Sequence, residues 1–188
     1  MNSQTISQSE RDRLTTNLKE TRERLLLIVR SLSPEQLDYK PAANRWSVAE
    51  NIEHVTKVEG LILQRITNTL QGPSGSFNPS GWQDRDDEVV ALVLNRSNRF
   101  KGPDAVQPTG QWRHDELFPE FEQARRRTHE FAATTNADLR RSTFRHPIFG
   151  ELDCYQWLLM LSAHSDRHRA QIEEVMATAD FPRAAAHA

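Results

Sequence analysis

The sequence has a single cysteine, no long apolar run and no excess of basic residues, and each of these shortages excludes a class of protein. With Cys154 alone, neither an intramolecular disulfide nor a zinc site built from several cysteines can form. We expect no membrane-spanning helix, because no stretch of about 18 apolar residues occurs. The first residues, MNSQTISQSERDR, lack the apolar core of a signal peptide, which favours a cytoplasmic location.

The charge balance argues against a protein that binds nucleic acid. The chain carries 24 Lys and Arg against 26 Asp and Glu, for a formal net charge of -2. Such a chain has no surplus of cations to neutralise many phosphates. We therefore expect neither nucleic acid nor a membrane as a partner. The basic run of residues 125–127 is interpreted as a solvated helix face.

The composition is typical of one globular domain. Of the 188 residues, 37% are hydrophobic and 27% are charged. This length fits a single domain spanning residues 1–188 better than two domains. The ends, residues 1–8 and 182–188, are predicted to be disordered.

Four segments carry apolar residues at steps of three and four, which is the pattern of amphipathic helices. Ser47 and Glu50 form a capping box at the start of the second segment, and Asp153 is the predicted N-cap of the fourth. Gly72, followed by proline, ends the second helix. The predicted helices cover about residues 10–32, 47–71, 117–131 and 154–178.

Residues 71–114 join the second and third helices and have a different composition. They contain the turn-forming sequences GPSGS, NPSG, GPD and PTG, with one short apolar run from Val89 to Leu94 that is interpreted as one or two helical turns. A connection of this length is able to cross the bundle and make its flanking helices parallel. The sequence therefore predicts an all-α four-helix bundle with an up-down-down-up path. Residues 136–152 are interpreted as a loop, and no strand is predicted.

Two histidines have a spacing that suits a metal ion. Of the seven histidines, only His164 and His168 are four residues apart, which places their side chains roughly 6 Å apart on one helix face. That face also carries the apolar Trp157 and Leu161. Two buried, uncharged imidazoles need polar partners, and either a metal ion or carboxylates and water would satisfy them. The residues alone leave both interpretations open.

A third ligand would have to come from another helix, and His54 on the second helix is the best candidate. It lies on the flank of that helix shared by Val58 and Leu61. The alternative is a partly buried helix histidine with no ligand, which the spacing does not exclude.

Longer stretches of the chain resemble the DinB-like superfamily. WSVAENIEHV at residues 46–55 and HPIFGELDCYQWLLMLSAHSDRHRAQI at residues 146–172 are similar to its two signature stretches. FKGP at 100–103, PTG at 108–110 and the helix at 117–126 are similar to its middle section. The resemblance spans about residues 10–178, and it implies a four-helix bundle with a long crossover between helices two and three.

The resemblance also implies a divalent metal site formed by His54, His164 and His168. Three neutral imidazoles leave a position open, as in catalytic zinc sites. Nitrogen ligands suit Zn, Ni, Cu or Fe, of which we favour Zn or Ni.

Three functions follow from this resemblance. Characterised members of the superfamily include transferases and isomerases that use small thiols such as bacillithiol and mycothiol. The favoured function is therefore a transferase in which metal activates a low-molecular-weight thiol for attack on an electrophile, which is a small-molecule substrate. The alternatives are a metal-dependent hydrolase and a non-catalytic metal-binding protein of a stress response. A homodimer is a further expectation, since many relatives are dimers.

Other polar residues lie near the histidines on the predicted helices. Asn51, Arg167 and Gln171 are candidates for orienting a ligand or contacting substrate, with ordinary helix-surface polarity as the alternative. Glu50 is interpreted as the capping acid. Cys154 lies roughly 15 Å along the helix from the histidine pair and is interpreted as a buried, inert thiol.

Overall fold

The computed structural model describes residues 6–72, 85–97 and 102–183. Within these residues the chain forms six α-helices, a short 3₁₀ turn and one two-stranded antiparallel sheet. None of these helices combines the length and the apolarity needed to cross a bilayer. The elements, in chain order, are α1 (Gln8–Val29), α2 (Pro34–Asp38), α3 (Val48–Gln71), α4 (Asp86–Leu94), the 3₁₀ turn (Asp104–Val106), α5 (His114–Thr134), β1 (Thr143–His146), β2 (Gly150–Asp153) and α6 (Cys154–Met176).

The long helices α1, α3, α5 and α6 form a bundle in which α1 and α3 each pack against both α5 and α6. The start of α1 meets the end of α5, where Arg11 Nη1 donates to the carbonyl of Ala132 at 2.7 Å. The start of α3 meets the end of α6 through Asn51 and His168. The starts of α1 and α6 lie together, joined by a hydrogen bond. These contacts confirm the predicted four-helix bundle and its up-down-down-up path.

Capping boxes start the helices where the sequence predicts them. Ser47 Oγ accepts the backbone N–H of Glu50 at 3.2 Å, and Glu50 Oε2 accepts that of Ser47 at 2.8 Å. Asp153 caps α6 in the same manner. The first helix begins earlier than its periodicity predicts, because Ser7 caps α1 and Ile6 is buried. Ser7 and Gln8 therefore belong to the first helix and its cap, and the disorder predicted for the rest of residues 1–8 and for 182–188 stays a prediction.

The predicted loop over residues 136–152 is wrong in part, because it contains β1 and most of β2. Phe144 pairs with Leu152 across the hairpin, and both side chains are buried. Gly150 has φ +78°, the left-handed conformation that glycine adopts without strain. Strands of four residues are too short for an alternating pattern to be evident in the sequence.

The crossover lies against the bundle. α4 confirms the helical turns predicted from Val89 to Leu94, and it packs on α6. The 3₁₀ turn packs on α3. Residues 73–84 and 98–101 of this connection lie outside the described residues, and so do 1–5 and 184–188 at the ends. Half of the FKGP segment, all of NPSG and most of GPSGS fall in these ranges.

The centre of the bundle holds a buried ion pair. Arg125 on α5 donates through Nε to Glu59 Oε1 on α3 at 2.7 Å, and both side chains are 1% exposed. Its Nη1 reaches α1, at Leu18 O (2.9 Å) and Thr21 Oγ1 (2.7 Å). Its Nη2 reaches Ser165 Oγ on α6 at 2.5 Å. One guanidinium therefore joins all four long helices.

This ion pair corrects the interpretation of residues 125–127 as a solvated face. Arg126 and Arg127 are exposed, as expected, but Arg125 is buried. Arg125 follows Phe121 by four residues and precedes Thr128 by three, and all three side chains point into the bundle. The sequence does not reveal that Arg125 is buried, because it lies in a run of three arginines and a charged residue does not extend the apolar stripe of a helix.

Cys154 is fully buried at the start of α6. Burial raises the pKa of its thiol to about 12, and the charge of Asp153 adds to this shift. The thiol is therefore uncharged at neutral pH, which agrees with the interpretation of an inert core residue.

Candidate metal centre

The three predicted histidines come together from α3 and α6. One ring nitrogen of each of His54, His164 and His168 lies within 4.8 Å of the other two. The Nε2 atoms of His164 and His168 are 3.2 Å apart. The ring centroid of His54 lies 5.1 Å from that of His164 and 4.7 Å from that of His168. The cluster thus joins two helices that are far apart in the sequence.

Asn51 determines which nitrogen of His168 carries the proton. Asn51 Nδ2 donates to the carbonyl of Ser47 at 2.8 Å, so its Oδ1 is the atom that faces His168 Nδ1 at 2.9 Å. An amide oxygen only accepts, so Nδ1 of His168 carries the proton. The lone pair of Nε2 then points towards His164. Asn51 therefore orients a predicted ligand, one of the roles that the sequence left open for it.

The carbonyl of Val106 has the same effect on His54. His54 Nδ1 donates to it at 2.8 Å, which leaves Nε2 of this ring as the atom that can bind a ligand. Gly102 permits this approach of the crossover. A Cβ at residue 102 would lie 3.2 Å from Val106 Cγ2 and 3.5 Å from His54 Cε1.

Glu53 and Lys57 hold the crossover in place, and the sequence reasoning missed both residues. Glu53 Oε1 accepts the backbone N–H of Thr109 at 2.8 Å, and Oε2 accepts that of Gly110 at 2.8 Å. Lys57 Nζ lies 2.6 Å from Glu53 Oε1 and donates to Gln107 O at 2.9 Å. These contacts fix residues 107–110, which directly follow Val106, whose carbonyl accepts the hydrogen bond from His54. Two features of the sequence point to this contact: the PTG segment at residues 108–110 and an acidic residue directly before the predicted ligand His54.

The bonds to Glu53 keep its carboxylate charged. Burial acts to raise its pKa, but hydrogen bonds from Lys57 and from the N–H groups of Thr109 and Gly110 lower the pKa below its ordinary value. The Glu53 carboxylate that holds the crossover is therefore ionised at neutral pH.

Burial keeps the three imidazoles uncharged. It lowers the pKa of His54, an effect that the charge of Lys57 strengthens and the bond to Val106 O opposes. Burial also lowers the pKa values of His164 and His168 well below the ordinary range, and neighbouring histidines add to this. Neutral imidazole is the form that binds a metal.

This geometry fits a divalent metal ion. Imidazole nitrogens on a tetrahedral zinc ion, with bonds of about 2.0–2.1 Å, lie about 3.3 Å apart. The 3.2 Å between His164 and His168 is close to this value, and the remaining separations are within 4.8 Å. A set of three nitrogen donors suits Zn, Ni, Cu or Fe and not Mg or Ca, which prefer oxygen.

A cavity of about 680 Å³ extends outward from the histidines. Trp46 forms part of its wall, with its ring centroid 4.7 Å from that of His54 and 5.9 Å from that of His168. Trp46 directly precedes Ser47, the N-cap of α3, and its ring covers the histidines. Further apolar side chains on this wall are Val58, Ile62, Trp157 and Met160.

Arg167 and Gln171 lie on the same wall, as their positions on α6 predict. Arg167 Nη1 donates to the carbonyls of Val93 at 3.0 Å and Asn95 at 2.6 Å, which anchors the end of α4 to α6. A contact of either side chain with a substrate stays a prediction.

Replacing Asn51 with leucine is expected to weaken zinc binding by about 10- to 100-fold, the usual cost of losing a residue that orients a ligand. Leucine keeps the volume but leaves His168 Nδ1 without an acceptor, so the ring loses its fixed orientation. Calorimetric titration with Zn²⁺ measures the change. Thr56→Val is the matched control, because Thr56 is also buried on α3 and its hydroxyl bonds only locally, to Ile52 O. Equal affinities for wild type and Asn51→Leu would refute the orienting role.

A protein-family model of the DinB superfamily matches residues 17–172 of this chain. Among curated proteins, the uncharacterized protein YuaE of Bacillus subtilis (strain 168) is 25% identical over 152 residues. That match covers 78% of this chain and 87% of YuaE.

Two solved structures share the fold. One is YfiT from Bacillus subtilis, described as a probable metal-dependent hydrolase with an unusual four-helix bundle topology. It has a TM-score of 0.60 and 18% identity, over 94% of this chain and 91% of YfiT. The other is TT2238, described as a four-helix bundle protein, with a TM-score of 0.56 and 21% identity over 87% and 98% of the two chains. Since the family model covers far more than half of the sequence and the structure has the same bundle, the chain belongs to the DinB superfamily.

Proposed function

We propose that the chain is a metal-dependent enzyme that activates a low-molecular-weight thiol for attack on an electrophile. His54, His164 and His168 would hold one divalent ion, with Zn or Ni favoured. The observation that carries this proposal is the set of three neutral imidazoles at a cavity, two of them with Nε2 left unprotonated by their hydrogen bonds. Three protein ligands leave a position for a further ligand. When bound, the ion would lower the pKa of a thiol in that position.

The cavity wall favours a thiol over water as the activated group. Among the described lining residues, Glu174 is the only carboxylate. It is exposed, and it is already paired with Arg45 and Arg96. His146 also lines the cavity, but burial lowers the pKa of this imidazole to about 4, which makes it a weak base at neutral pH. Hydrolysis commonly uses a positioned base close to the metal. A thiol is more acidic than water, so its activation depends less on such a base.

The chain's own side chains would position the reactants. Asn51 and the carbonyl of Val106 hold two imidazoles in the required orientation. Trp46 keeps water from one side of the histidines, while Trp157 and Met160 offer apolar surface to an electrophile.

Hydrolysis is the second candidate, because the structurally similar YfiT is described as a probable metal-dependent hydrolase. A non-catalytic metal-binding protein of a stress response is the third. It needs the same histidines but no turnover. The homodimer stays a prediction.

Turnover by the metal-loaded protein tests this proposal. Conjugation of cysteine, glutathione, bacillithiol and mycothiol to 1-chloro-2,4-dinitrobenzene is followed by absorbance, beside hydrolysis of p-nitrophenyl acetate without thiol. We expect conjugation with at least one thiol, reduced more than about 100-fold in His164→Ala and retained in His129→Ala. Ester hydrolysis without thiol would favour the hydrolase. Metal binding with no turnover of any substrate would favour the non-catalytic protein.

A further inference from the structure

Four arginines are among the described residues that line the cavity, and three of them form a group that includes one carboxylate. Arg45 precedes α3, Arg96 follows α4, and Arg167 lies on α6. Glu174 Oε2 lies 2.6 Å from Arg96 Nη2 and 3.3 Å from Arg45 Nη2. Among the described lining residues, these three guanidinium groups, called the arginine cluster below, exceed the single carboxylate by two positive charges. The excess favours an anionic ligand.

The cluster brings like charges to one cavity, since Arg45 and Arg96 share the carboxylate of Glu174 and Arg167 lines the same wall. Like charges held together in this way are stabilised by an anion placed between them. The fold enforces this arrangement, since Arg167 is tied to α4 through Val93 O and Asn95 O.

Arg96 has an unused donor in this cavity. Its Nε is buried and has no hydrogen-bond partner among the described residues. A buried donor without a partner is unfavourable, because it has given up its hydrogen bonds to water. A carboxylate that binds side-on to a guanidinium uses Nε and one Nη together. In the present arrangement Glu174 occupies only Nη2.

Glu174 shows which ligand chemistry the cluster accepts. Its carboxylate already bridges Arg45 and Arg96, and its side chain is 51% exposed on the last turns of α6. An exposed ion pair of this kind contributes little to stability, so a ligand can displace it. Along α6, Glu174 lies six residues, about 9 Å, from His168. A small molecule is long enough to span this distance.

We propose that the arginine cluster binds a carboxylate group of the small molecule that occupies the cavity, and that Glu174 takes this position when the ligand is absent. The inference deepens the proposed function, on which it rests for the ligand's role as a substrate. Binding of the carboxylate itself requires only the arginine cluster, so it can be measured without metal.

The test compares 3-phenylpropionate with 3-phenylpropanol, which share the apolar part and differ in charge. Dissociation constants are measured by calorimetry with the full chain, both metal-loaded and treated with chelator. We expect the propionate to bind at least about tenfold more tightly than the alcohol in both preparations. Arg96→Gln should remove most of this difference. Glu174→Gln should strengthen propionate binding by about threefold or more, because the competing carboxylate is gone.

Arg65→Gln is the control, since Arg65 also lines the cavity but lies over the Phe144 ring, 4.7 Å from its centroid. It should leave propionate binding unchanged. Thermal unfolding verifies that each variant is folded, and Arg45→Gln replaces Arg96→Gln if the latter is not. Equal binding of propionate and alcohol would overturn the inference, and so would a loss caused by Arg65→Gln alone or weaker binding in Glu174→Gln. If no thiol is conjugated in the turnover assay but these binding results are obtained, the proposed reaction is rejected and the carboxylate site is retained.

Discussion

Replacing His168 with alanine is expected to weaken Zn²⁺ binding by more than about 100-fold, beyond the cost of losing a residue that only orients a ligand. The substitution removes one of three nitrogen ligands and leaves Asn51 Oδ1 without the donor that it accepts. His54→Ala should have a similar effect, although it changes a different helix. Weaker Zn²⁺ binding in both variants would show that residues of α3 and α6 hold one ion together.

Thermal unfolding measures this effect directly. A ligand that binds only the folded state adds about 2.7 kcal/mol of stability at a concentration 100 times its dissociation constant. Wild type should therefore melt at a higher temperature with added Zn²⁺, and His54→Ala and His168→Ala should not. His129→Ala, on α5, should keep the shift. A zinc-dependent shift that survives in both centre variants would place the ion elsewhere.

Replacing Arg125 with methionine is expected to lower the free energy of unfolding by about 3–5 kcal/mol. The change leaves Glu59 as a buried charge without its partner, and it also removes the bonds to α1 and α6. Denaturant unfolding at neutral pH gives the value. The neighbouring Arg126→Met is the matched control, because Arg126 is exposed and its loss should change stability by less than about 0.5 kcal/mol.

A double variant separates the charge from the packing. If the unpaired charge of Glu59 is the main cost, Arg125→Met combined with Glu59→Leu should recover much of the lost stability, since apolar pairs of similar volume replace buried ion pairs well. A loss in Arg125→Met as small as that in Arg126→Met would contradict the central role of this ion pair. So would strictly additive losses in the double variant.

The sequence predicted most of the bundle because helical signals are local. Capping boxes at Ser47 and Asp153 and the apolar spacing between them define α3 and α6 without reference to the rest of the chain. The short strands at residues 143–146 and 150–153 were missed, since their pairing depends on a partner rather than on their own pattern. Arg125 was missed because a buried arginine is identified by its partners on other helices.

The candidate site, too, was predicted from the sequence only in part. The spacing of His164 and His168 is visible in one helix, and the family resemblance implied His54. Residue spacing does not predict hydrogen bonds between distant segments. Examples are the bond from His54 to the carbonyl of Val106 and the bonds from the N–H groups of residues 109–110 to Glu53. These contacts depend on how the crossover settles on α3, which only the folded structure shows.

The metal content of the purified, untagged protein tests the central claim most directly. The protein is exposed to Zn²⁺ or Ni²⁺, separated from free metal by gel filtration and analysed by mass spectrometry, beside His54→Ala, His168→Ala and His129→Ala. The three-histidine centre predicts close to one equivalent in wild type and His129→Ala, and close to none in the other two variants. No bound metal in folded wild type, or equal metal in all four proteins, would contradict it.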